Sequence, residues 1–167
     1  MDRYRAIDAE EGAEFTDCSV VKDNVTGLEW QRCTEGQTWN NVSLQCDGSA
    51  SARYRPGHWL TEEPYNIITF LDEIPAGWRL PAVSELRTLV YCSTGSPILI
   101  DMTLDDTQCG GGSSLPTISS EAFPNTPSFG FWSSTAASND FWWVARFDLG
   151  KVNDGGYNLA YHMRYVR

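Results

Sequence analysis

Few side chains in this sequence could do covalent or acid–base chemistry: five cysteines, two histidines and a surplus of carboxylates over cations. The cysteines stand at 18, 33, 46, 92 and 109. None forms a C-x-x-C pair, which weighs against zinc chelation and thioredoxin-type redox work. Their wide spacing suits disulfides made in an oxidising compartment. Cys33 with Cys46 would close one short polar loop and Cys92 with Cys109 another, leaving Cys18 over. Spacing alone does not fix that connectivity, and free thiols in a reducing compartment stand as the alternative. His58 sits in a loop between Gly57 and Trp59, and His162 lies near the end of the chain. Acid–base catalysis needs a partnered histidine, and no Ser or Cys nucleophile motif accompanies either one. Asp101, Asp105 and Asp106 offer carboxylates of the kind calcium takes, but their spacing matches no dedicated calcium loop, and a solvated acidic loop is the simpler reading. The expectation is a non-enzymatic chain, with no metal and no cofactor.

Recognition chemistry is plentiful instead. Aromatic residues make up 13% of the 167 residues, with seven each of Trp, Tyr and Phe, and such rings serve both cores and recognition surfaces. Trp142 alternates with Trp143 and is expected on the outer face of its strand, where an exposed aromatic is a ligand candidate. Around it gather Asn139, Asp140, Arg146, Asp148, Lys151, Asn153, Asp154, Tyr157, Asn158, Tyr161 and His162. Tyr mixed with Asn, Ser and Gly is the composition that binding loops use. These twelve positions are the candidate ligand-binding set, with an ordinary polar loop surface as the competing reading.

The bulk properties narrow the partners. A net charge of −10 repels phosphate backbones and anionic head groups, so neither nucleic acid nor a membrane surface is expected as a partner. No apolar run approaches membrane-spanning length. No secretory signal shows at Met1, and the charged opening Met1-Asp2-Arg3-Tyr4-Arg5 reads as a cut boundary.

The elements that must position these residues follow from periodicity. Residues 1–22 read as a lead-in with a first strand region, and 23–167 as one domain. Leu28 and Trp30 alternate with polar neighbours, the mark of a half-buried strand. From Cys33 to His58 the chain is polar and reads as loop. Thr61-Glu62-Glu63-Pro64 opens a helix carrying Ile67, Ile68, Leu71 and Ile74, which Ala76-Gly77 ends. Pro81 starts a second helix with Ala82, Leu86, Leu89 and Val90 inward and Glu85 and Arg87 outward. A long Gly- and Pro-bearing loop, 93–130, leads to strands at Phe131–Thr135 and through Trp143, Ala145 and Phe147, with a last strand near Met163–Arg167. Strand, two helices, then an antiparallel meander is an α+β order.

Seven ordered segments carry a family resemblance: Thr26-Gly27-Leu28-Glu29-Trp30, Thr38-Trp39, Trp78-Arg79-Leu80-Pro81 with Glu85-Leu86, Phe123-Pro124-Asn125-Thr126-Pro127, Phe131–Thr135, Trp143–Gly150 and Met163–Arg167. Together they resemble the C-terminal domain family of the Legionella collagen-like adhesin. That resemblance implies a C-type-lectin-like fold, two helices flanking a small twisted antiparallel sheet with long loops on one side as the binding face. It implies a bacterial extracellular or cell-surface adhesion module for a protein or glycan ligand, with a homo-oligomer, a trimer, as a further expectation. The −10 charge argues against transferring the namesake's glycosaminoglycan ligand. Ala145 and Met163 stand where the family has Val, both apolar substitutions. The Glu-Pro-Asn and Trp-Asn-Asp signatures of calcium-dependent lectins are missing, and Arg164 and Arg167 match a terminal motif read as structural anchors. Two alternatives stand beside this reading. One is a variable protein of a diversity-generating retroelement, since every residue from Asp154 to His162 can arise from an AAC codon by adenine change. The other is an enzyme on the formylglycine-generating scaffold.

Overall fold

The computed structural model describes residues 3–7, 18–54, 74–94, 109, 112–138, 141–156 and 159–167. Among them the chain forms ten strands and one helix: β1 (Tyr4–Ile7), β2 (Val20–Asp23), β3 (Glu29–Gln31), β4 (Thr38–Asn40), β5 (Gln45–Asp47), β6 (Arg53–Tyr54), α1 (Val83–Arg87), β7 (Gly130–Ser138), β8 (Phe141–Arg146), β9 (Lys151–Gly156) and β10 (Ala160–Tyr161). All pairings between strands are antiparallel, in sheets ordered β1-β2-β3, β4-β5, β10-β6 and β7-β8-β9.

The last eight residues zip these sheets together. His162 bridges Phe131 in parallel, and Val166 bridges both Trp30 and Arg79. The Trp132 amide donates to the His162 carbonyl (2.9 Å) and the His162 amide to Gly130 (3.0 Å). Further along, the Glu35 amide donates to Met163, Gln31 to Tyr165, and Glu29 and Arg167 exchange both bonds. A tail wedged between three segments has little unpaired backbone left to solvate, the accounting that buried chain demands.

Side-chain alternation then feeds two cores. Phe131, Ala145 and Phe147 join Trp30, Leu86, Leu89, Phe123 and Val166 in one. Trp132 and Val144, one position out of phase, join Leu80, Tyr161, Met163 and Tyr165 in the other. The C-terminal sheet is therefore a middle layer covered on both faces over much of its area. The sequence reading of a sheet with one core face and one exposed face is corrected here, since Val144 is fully buried.

The two-helix α+β, C-type-lectin-like architecture is corrected as well: the described residues are predominantly β with one five-residue helix. The first expected helix falls at 61–74 and lies outside the described residues except for Ile74, which packs against the second core. The second is cut short. After Glu85, the amides of Thr88, Leu89 and Val90 each donate three residues back, and Tyr91 donates to Thr117 across the molecule. Bonds of that spacing tighten and end a helix. Leu86 and Leu89 are buried as expected, but Arg87, expected outside, is buried too. The stretch 33–58 read as loop holds the β4–β5 hairpin and β6, strands of two or three residues whose alternation is too short to register.

An acid-sensitive clamp holds the first sheet. Asp23 is buried and accepts from Arg3 Nε (3.2 Å) and Nη2 (2.8 Å) and from the Val25 amide (2.9 Å), closing the turn that Gly27 completes at φ +78°. Burial alone would push its carboxyl up; the Arg3 and Val25 hydrogen bonds outweigh it and hold it below its ordinary value. A depressed carboxyl contributes stability that is complete above its unfolded value of about 3.9 and is lost as pH falls through the lower, folded value. We expect acid titration of stability to show this limb in the native chain and to lose it in Asp23→Asn, read by urea unfolding between about pH 2 and 6.

Candidate functional site

Of the twelve predicted contact residues, Asn139, Asp140, Tyr157 and Asn158 lie outside the described residues. The remaining eight sit on β8, β9, β10, the turn between β8 and β9 and the residue after β10, and the structure sorts them by what they touch.

Tyr161 belongs to the core. Its ring meets Trp132 edge-on at 4.8 Å and Phe129 at 5.6 Å, and it is 2% exposed. Glycines make that possible, because a Cβ at Gly130 would strike the Tyr161 ring and one at Gly155 would meet it at 2.8 Å. Burial raises its phenol pKa. The next residue, His162, is half-buried, its Nδ1 donating to the Ser51 carbonyl (2.7 Å). Burial pushes the imidazole down, and the bond to Ser51 does not offset this. Both residues are engaged inward, so a diversified face running from Asp154 through His162 would have to vary core positions at its end.

Arg146 and Asp148 are engaged with each other. Nε and Nη2 of Arg146 donate to the two carboxylate oxygens at 2.8 and 2.5 Å, while the guanidinium lies 5.5 Å from the Phe129 ring. The Asp148 bonds raise the arginine pKa despite partial burial. Trp142 is half-buried against the second core, opposite Ala136 and Gly155, rather than standing free. Asn153 turns its Nδ2 to the Asp154 carbonyl (2.9 Å).

What stays open is the far end of the sheet. Ala136, Ala137 and Ser138 of β7, Phe141 of β8 and Asp154 of β9 are exposed, with Trp142 half-exposed beside them and Leu159 beyond, while Lys151 pairs with Arg146 at the other end of the sheet. Phe141 pairs with Ser138 and Gly156, and Trp143 with Asp154, so the register sets these residues on one rim. Sequence reading missed Phe141 and Phe129, both 41% exposed; Phe129 stands between Ser128 and Gly130, a turn signal beside an aromatic, whereas Phe141 adjoins Trp142, whose choice overshadowed it.

The two disulfides join Cys33 to Cys46 and Cys92 to Cys109, and Cys18 is buried outside both. Asp101, Asp105, Asp106 and His58 lie outside the described residues. Among the described residues most arginines are committed. Arg3, Arg53, Arg79, Arg146 and Arg167 each face a carboxylate, and Arg32 and Arg164 donate to backbone carbonyls. A concavity lined by Trp39, Trp78 and Arg167 among others was not foreseen, since the sequence placed the two tryptophans only in family motifs and Arg167 in an anchoring role.

With its braced β scaffold and open aromatic rim, the class is a domain built on small antiparallel sheets. The family described as the Lcl C-terminal domain matches residues 19–167, and the chain belongs to that family, the adhesin-related C-terminal domains named for the Legionella collagen-like adhesin. Neither curated proteins nor solved structures gave a match.

Proposed function

We propose that this domain is a non-enzymatic extracellular module that binds a protein or glycan through the open end of its C-terminal sheet. The observation that carries the reading is the rim of Ala136, Ala137, Ser138, Phe141 and Asp154, exposed above a sheet covered on both faces. Rigid strands beneath an aromatic anchor lower the entropy lost on association, and aromatic residues at the centre of a contact carry much of its energy. The adhesin-related family supports a role in attachment. The disulfides support an oxidising location, outside the cell or at its surface.

The test is a glycan and protein array probed with the native domain and with Phe141→Ala combined with Asp154→Ala. The double variant is expected to keep its melting temperature and to lose about tenfold or more in affinity for whatever the native chain captures. Capture undiminished by both substitutions would move the binding face elsewhere.

A further inference from the structure

A groove of about 420 Å³ separates β2 and β3 from β4 and the last residue of the chain. Ser19, Gln31, Trp39, Trp78 and Arg167 line it together with Thr38, and it shares no residue with the rim described above. That volume lies within the range of small-ligand sites, which combine apolar wall with a few placed polar groups. Two indoles make the wall. Arg32 sits 4.0 Å from the Trp39 ring and Arg167 4.7 Å from that of Trp78, so each tryptophan is backed by a guanidinium and half-buried, its uncovered part turned to the groove.

The polar groups are the informative part. Arg167 spends Nε on Glu29 (2.8 Å), which balances its charge, and its Nη groups have no partner among the described residues. Nor do the Gln31 carboxamide and the Thr38 hydroxyl. Among its lining side chains the groove thus offers indole surface, donors and acceptors, and a single charged group, Arg167, that is paired with Glu29.

Each other kind of ligand leaves something unmet. A purely apolar guest would cover the carboxamide and guanidinium without replacing their water bonds. A polyanion would meet an arginine already neutralised, on a chain of net charge −10. A cationic peptide would find no carboxylate among the lining side chains. An uncharged polyol ring matches all parts: its C–H face covers an indole, and its hydroxyls both donate to and accept from Gln31 and Thr38 and accept from the Arg167 fork. We propose that this groove binds a neutral sugar ring, a saccharide subsite separate from the C-terminal rim.

The experiment follows the indole N–H signals of Trp39 and Trp78 in the isotope-labelled native domain. They are assigned with Trp→Phe variants, while methyl glycosides of glucose, galactose, mannose and N-acetylglucosamine are added. Trp39 Nε1 is buried and donates to nothing among the described residues, so its signal should report a neighbour arriving. At least one glycoside is expected to shift both signals saturably in the millimolar range. Gln31→Ala is expected to weaken that response about tenfold with the melting temperature kept, and Phe141→Ala to leave it untouched. The proposal falls if no glycoside shifts the signals up to about 100 mM, or if the shifts survive Gln31→Ala. It falls equally if only a sulfated sugar or a peptide produces them, or if protein concentration alone does so because a second copy fills the groove. Loss of array capture in the Phe141 variant with the glycoside response intact would separate the two sites.

Discussion

Replacing Arg164 by Met should cost the fold on the order of 4 kcal/mol, the largest single-residue loss we expect in this chain. Arg164 is fully buried and stacks 4.7 Å from Phe123 and 5.8 Å from Phe131. Its Nη1 donates to the carbonyls of Gln31 (2.8 Å) and Arg32, and its Nη2 to the hydroxyls of Thr34 (3.3 Å) and Thr126 (2.7 Å). One planar fork therefore ties the exit of β3 to the 123–127 turn and to the C-terminal tail. Burial pushes its pKa down to about 9, so the site disfavours the charge it holds. Met would fill the volume between the phenylalanines but strand the acceptors, each costing about 1–3 kcal/mol when left dry. Lys is no remedy. It presents three donors from one point instead of a flat fork, and its ordinary pKa of about 10.4, lowered by the same burial, would bring it near neutrality. We expect Arg164→Lys to lose nearly as much as Arg164→Met in guanidinium unfolding. Less than about 1 kcal/mol lost in either variant would show that the fork anchors nothing.

That residue also marks where sequence reading stops. An anchor at 164 was legible from the terminal motif, and Trp30, Leu86 and Leu89 were placed on inward faces correctly. Both disulfide pairings could be read as short closed loops. Periodicity on β8 revealed which residues share a face but not what covers the second face. The cover comes from Met163, Tyr165 and Leu80, which are distant in sequence. For that reason Trp142 and Tyr161 were expected outside, whereas one is half-buried and the other is core. The groove was hidden for a related cause: Trp39, Trp78 and Arg167 each have a local explanation, and only the fold makes them neighbours. The helix starting after Pro81 was legible from its apolar stripe, but its early end was not, because it depends on Tyr91 bonding to Thr117.

Reducing both disulfides should lower the melting temperature by roughly 15 °C. The bridges span 13 and 17 residues in sequence, and loops of that size limit the unfolded chain by about 3 kcal/mol each. Losing some 6 kcal/mol from a domain whose net stability is typically about 5–15 kcal/mol leaves little margin at 37 °C. The two bridges also brace different places, so their separate removal should be distinguishable. Cys33 lines the groove, and the Cys46 amide donates to Asn125 Oδ1 (3.1 Å), whose own carbonyl accepts from Gln37. Cys109 donates its amide to Gly150 (3.2 Å), and a Cβ on Gly150 would collide with the Cys109 sulfur, so this bridge packs directly under the turn that launches β9. Replacing Cys33 and Cys46 together by Ser should therefore weaken the indole response to glycosides first. The same change at Cys92 and Cys109 should loosen β9 and with it the Asp154 end of the rim. Calorimetry with and without a phosphine reductant measures the first effect, and hydrogen exchange of the β9 amides the second. An unchanged transition, with all thiols shown to be reduced, would mean that the two cores hold the chain without covalent help and would remove the physical argument for an oxidising compartment.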